Sequence, residues 1–222
     1  MSKTQQLNEL FEKWKSARGY VGFKKDGILN EDFFISPRIL FICKEPNDKD
    51  LNEGDYRKWW EKGLAFRFGL RLGEWAYGLI NNFPAYEEFS TPQAHEAFMK
   101  TAFMNVKKCG GGARANHVEL VEYLNRDLQF LKEQIEIINP TIIVCCLGEL
   151  RITQLLFKEI PLENWNKSGY EVQFAIWNER TIIDFVHPSV YAPGSMSYVL
   201  LEKVFNRIVT WSHENRVNLR II

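Results

Sequence analysis

Four things are scarce or missing in this chain, and each removes a class of function. Only four of the 222 residues are cysteine (Cys43, Cys109, Cys145 and Cys146), and no C-x-x-C pair occurs. A zinc or cluster site therefore has no support, and neither a metal nor a cofactor is expected. Charge of one sign is not in excess: 28 Lys+Arg balance 28 Asp+Glu. That excludes a broadly basic nucleic-acid-binding surface while leaving room for a local basic groove. No apolar run is long enough to cross a bilayer. The stretch from Met1 to Phe11 is polar and charged, so neither a signal peptide nor membrane attachment is expected. Gly110-Gly111-Gly112 lacks the Gly-Lys-Ser/Thr ending of a phosphate-binding P-loop. Three of the cysteines lie in or beside apolar strand-like runs, the pattern of reduced, buried thiols in a cytoplasmic protein.

What is present is a core-forming chain, 45% hydrophobic and 14% aromatic. Leu7, Leu10, Phe11 and Trp14 share a helical face, which predicts a helix over 4–17. Buried strands are predicted at Arg38–Cys43, Thr101–Val106, Thr141–Leu147 and Thr181–Val186. Helices are predicted over Leu70–Asn82, from Gln93, from Asn116 to Pro140, after Gly148 and over Tyr198–Ser212. Asn116 and Glu119 have the spacing of a capping box. Tyr170, Val172, Phe174 and Ile176 alternate with polar residues, as in a half-buried edge strand. Strands that are continuously apolar are covered on both faces. The expected fold is therefore α/β: one domain spanning 1–222, a three-layer αβα sandwich around a mostly parallel sheet.

Three apolar runs end abruptly in polar groups: Phe41–Asn47, Phe103–Cys109 and Asp184–Ser189. Ligands in open parallel sheets bind outside the carboxyl ends of the strands, so these ends are candidates for one site. Glu45, between Lys44 and Pro46, suits a general base or an anion facing developing positive charge, or else a plain turn. Lys44 could favour its ionised form by proximity or be an ordinary solvated charge, and Pro46 holds Glu45 extended. Asn105 offers a donor and an acceptor to a nucleobase edge, or caps a strand-to-loop turn. His187 is placed to donate to an anionic oxygen, or to bond its local backbone. Lys107, Lys108 and Arg114 flank the glycine triplet and could meet phosphate. Phe66 and Phe68 could stack on a flat base, and Trp59 and Trp60 are open in the same way. His95, His117 and His213 lack such companions and are taken as structural or solvated.

Taken together, Ile39–Asn47 with its Lys44-Glu45-Pro46-Asn47 ending, Asn105–Cys109, Asn139–Gly148 and His187-Pro188-Ser189 resemble, in order and spacing, the uracil-DNA glycosylase superfamily. The resemblance implies a four-stranded parallel sheet and a base-excision hydrolase acting on DNA as a monomer. By the same resemblance Glu45 orients or activates water, Asn105 reads the uracil edge and His187 stabilises the uracil anion. Phe68, or else Phe66, stacks on the base. Pro46 and Asn47 complete the substrate loop, and Ser189, Val190 and Tyr191 press on the DNA backbone or wedge into the gap. Cys43 stands where many members carry glycine. The cysteine pair of the iron–sulfur branch has no counterpart, so Cys109 is not a cluster ligand. The alternative is a non-catalytic nucleotide or nucleic-acid binding module on the same fold, relying on Lys44, Lys107, Lys108 and Arg114.

Overall fold

The computed structural model describes residues 1–48, 50–112 and 114–219. Helix α1 (Lys3–Arg18) starts at a capping box between Ser2 and Gln5 and stops at Gly19 in the left-handed conformation. Strands β1 (Lys24–Lys25) and β2 (Gly27–Ile28) lead to β3 (Ile39–Cys43). Next come β4 (Gly54–Asp55), α2 (Tyr56–Trp60), α3 (Phe66–Asn81), α4 (Thr91–Met99) and β5 (Ala102–Asn105). They are followed by α5 (His117–Ile138), β6 (Ile142–Cys145), α6 (Leu150–Leu156), β7 (Asn166–Lys167), β8 (Gln173–Trp177), β9 (Arg180–Asp184) and α7 (Gly194–Asn215).

The main sheet has the order β2-β5-β3-β6-β9-β8-β7. Its centre, β5-β3-β6-β9, is parallel throughout. The expected four-stranded sheet is thus corrected to a seven-stranded mixed one, because β2, β8 and β7 add antiparallel edges. The cause on one side is local. Asn178 and Glu179 both have positive φ (47° and 62°), the geometry of a two-residue hairpin turn, so β8 must run back along β9. The chain passes from β3 to β5 on one side and then to β6 on the other. The carboxyl end of β3 is therefore the topological switch point.

Strand residues alternate between two cores. Leu40, Ile42, Met104, Ile143 and Ile182 meet α1, α5 and α6 through Phe11, Trp14, Leu124, Leu131 and Ile152. Ile39, Phe41, Phe103, Val144 and Ile183 meet α3, α4 and α7 through Leu72, Trp75, Phe98, Leu201 and Val204. Helices cover both faces, which explains why the central strands are apolar without interruption. No described helix is long and apolar enough to cross a membrane.

Two elements differ from expectation. Helix α2 forms within a stretch rich in polar residues, capped by Asp55, which accepts from the Arg57 N–H. Asn116 does cap α5, accepting from the Val118 and Glu119 amides. Glu119, however, does not close a capping box: its carboxylate accepts from Lys107 at 2.7 Å instead.

Candidate active site

The carboxyl ends of the parallel strands open into one cavity of about 660 Å³. Its walls include Lys44, Glu45, Pro46 and Asn47 after β3, Asn105 at the end of β5, and His187 and Ser189 after β9. Phe66, Phe68, Trp59, Trp60 and Tyr56 complete the opposite side. The three separate strand ends do converge.

Glu45 is set by the chain around it. The Val106 amide donates to the Cys43 carbonyl and the Lys107 amide to the Lys44 carbonyl, so pairing of β3 with β5 continues into the loops. The Glu45 side chain is 6% exposed and lies 3.3 Å from Lys107 Nζ. Burial opposes the charge on Lys107, but Glu119 and Glu45 outweigh it and hold its pKa above the ordinary value. Gly111 packs over Glu45 so closely that a Cβ there would lie 2.3 Å from the carboxylate carbon. A Cβ on Gly110 would lie 1.9 Å from the Asp48 carbonyl oxygen. Gly110 and Gly111 therefore close over the first loop.

Asn105 is buried at the end of β5. Its backbone N–H donates to Asp26 Oδ2 at 2.8 Å, while its side-chain amide has no protein partner among the described residues and faces the cavity. Asp26 also accepts from Lys108 Nζ (2.7 and 2.8 Å) and from Gln134 Nε2 (2.7 Å). The assignment of Lys108 to nucleic acid is corrected: its ammonium is fully buried against Asp26, over the rings of Trp14 and Phe11. Lys107 is corrected too, since it is buried and held by Glu119 and Glu45. Both follow strand β5 directly, and the loop turns inward over α5. Of that cation set Arg114 remains exposed, at the cavity wall.

His187 Nδ1 accepts the Ser189 N–H at 3.2 Å, so in the neutral ring the proton sits on Nε2. Burial, helped by the charge of Lys44, lowers its pKa to about 4. It is thus a neutral donor at ordinary pH. Phe68 lies 5.7 Å from its ring and is braced by Trp60 and Phe103 at 6.2 Å each. Phe66 is different: it is 80% exposed at the cavity rim and has φ +60°. Such a conformation is rare for a bulky residue and costs on the order of 1–3 kcal/mol. Tyr191, 92% exposed, lies under the Arg67 guanidinium at 5.1 Å, and Val190 is exposed beside it. Val190 and Tyr191 stand outside the cavity lining.

The residues not foreseen are His117, Arg67, Tyr56 and Glu149. His117, expected to be structural or solvated, lines the cavity. Its Nε2 lies 3.3 Å from Lys44 Nζ and its Nδ1 bonds Glu149. Its position at the first turn of α5, just past the Asn116 cap, was the available signal. Among the described residues no group of three His, Cys, Asp or Glu is arranged to hold a metal. All four cysteines are free thiols. No family model matches this chain, and no curated protein matches it.

Proposed function

We propose that the chain is a DNA glycosylase that hydrolyses the N-glycosidic bond of uracil or a related damaged pyrimidine. The observation that carries this reading is the meeting of Glu45, Asn105, His187 and Phe68 in one cavity at the switch point of the sheet. The size, about 660 Å³, suits a flipped-out nucleotide. Base release leaves an oxocarbenium-like sugar and an anionic base. Glu45 faces the positive fragment and can hold the attacking water. The Nε2–H of His187 is a donor for the carbonyl oxygen on which negative charge grows. A neutral imidazole serves here, since with Nδ1 accepting from Ser189 its Nε2–H is already present and needs no added proton. The free amide of Asn105 pairs with the N3–H and a carbonyl of the base, and its backbone is fixed by Asp26. Phe68 offers a braced face for stacking.

The test is cleavage of uracil-containing oligonucleotides, single- and double-stranded, after alkaline treatment. Glu45→Gln and His187→Ala should each slow base release by roughly 100-fold or more. Intact substrates across several pyrimidine lesions at high enzyme excess would sink the reading. The binding-module alternative relies on Lys44, Lys107, Lys108 and Arg114; of these Lys107 and Lys108 are committed to buried ion pairs, while Lys44 and Arg114 line the cavity.

A further inference from the structure

Lys44 and His117, which line the same cavity, and Glu149, bonded to His117 behind them, form a second chemical unit that base hydrolysis does not use. Lys44 Nζ has His117 Nε2 as its hydrogen-bond partner among the described residues, at 3.3 Å, and no carboxylate within ion-pairing distance. An ammonium has only donors, so Nε2 accepts, and Nδ1–H must donate to Glu149. An amine, a base within reach of its proton and an orienting carboxylate behind the base are the parts of an activated nucleophile. Gly148 keeps the amine open: a Cβ there would stand 3.2 Å from Nζ, and its φ of +74° also favours glycine. Burial lowers the pKa of Lys44, which eases release of its proton.

We propose that Lys44 is an amine nucleophile that attacks C1′ of an abasic deoxyribose, giving the chain a lyase activity in addition to base release. The identity of the aldehyde rests on the glycosylase reading above. Lys44 ammonium passes a proton to His117 Nε2, and the freed lone pair forms the Nζ–C1′ bond with the ring-opened aldehyde. A second amine proton moves to the former carbonyl oxygen. His117 returns its proton to that hydroxyl, the C1′–O bond breaks, and water leaves. The iminium keeps the positive charge with which Lys44 began. Loss of the C2′ proton to neutral His117 gives an enamine. Its electron pair then expels the 3′-phosphate as the C3′–O bond breaks. Hydrolysis of the remaining iminium restores the Lys44 ammonium, and His117 gives the C2′ proton to the released phosphate, so both groups end as they began. Glu149 acts through His117 and is a positioning residue.

The experiment uses the full chain with an oligonucleotide carrying a preformed abasic site, in sodium cyanoborohydride, which reduces an iminium to a stable secondary amine. A covalent protein–DNA adduct is expected, and peptide mass spectrometry should place it on Lys44. Lys44→Arg keeps the cation but has no primary amine, and should abolish the adduct. His117→Ala should slow trapping about 100-fold, with partial rescue by added imidazole, which a merely structural role would not show. Glu149→Asp should retain trapping better than Glu149→Ala. Uracil release without any adduct overturns the lyase proposal and leaves the glycosylase reading standing. An adduct on the preformed site without uracil release does the reverse. An adduct that maps to another amine, or that survives Lys44→Arg, overturns the proposal.

Discussion

At the residue scale, His187 illustrates how position sets chemistry. Burial first, and the Lys44 charge second, lower its pKa to about 4 from an ordinary 6.5. The unfolded chain therefore binds the proton more tightly. The His187 contribution favours the fold above pH 6.5 and is lost as pH falls toward 4. Replacing Lys44 by alanine removes a neighbouring positive charge, so the His187 pKa should rise while burial keeps it below 6.5. Titration of the imidazole resonances by NMR checks both points, and an unchanged pKa would show that the two side chains do not interact.

At the scale of elements, the loop after β5 is built on two close approaches with different consequences. The Cβ of Gly110→Ala would meet backbone, the Asp48 carbonyl at 1.9 Å. That variant should lose stability in a thermal melt, by roughly 1–3 kcal/mol. The Cβ of Gly111→Ala would meet the movable end of Glu45, at 2.3 Å. It should melt near the parent temperature yet lose most of its base-release rate, because the carboxylate is displaced. Equal effects of the two changes on stability would refute this division. The residue-scale pattern already pointed to Glu45, but the partner that sets its position, Gly111, is a feature of how two loops pack.

At the scale of the whole molecule, the question is which charges face outward. Lys108 and Asp26 form a buried pair linking the loop after β5 to the segment before β2, with Gln134 of α5 and the Asn105 backbone N–H on the same carboxylate. Removing one partner leaves a buried charge uncompensated, so Asp26→Ala or Lys108→Ala should each cost about 3–5 kcal/mol in urea unfolding. Arg67 and Arg114 are instead exposed at the cavity wall. If they meet phosphate, alanine at either should reduce the slope of log affinity for single-stranded DNA against log salt by about 1. The balanced net charge of the chain thus says nothing about the rim, because a share of the cations lies inside.

Much of the frame was legible because it is written in local pattern. Continuous apolar runs mark the four parallel strands, the 3.6-residue spacing marks the helices, and abrupt polar endings mark Glu45, Asn105 and His187. The reversal at Asn178-Glu179 depends on both residues adopting positive φ. Other features were beyond local pattern, since a residue's role as cation, cap or base depends on neighbours distant in sequence. Lys107 and Lys108 look like surface cations until Glu45, Glu119 and Asp26 enclose them. His117 looks idle until Lys44 arrives from the end of β3 and Glu149 from the N-cap of α6. The sequence by itself determined the four central strands, the layers and the positions where polar groups stop those strands. Only the tertiary structure decided which of those groups remain free to act, because burial and pairing are settled by contacts between segments that the chain order keeps apart.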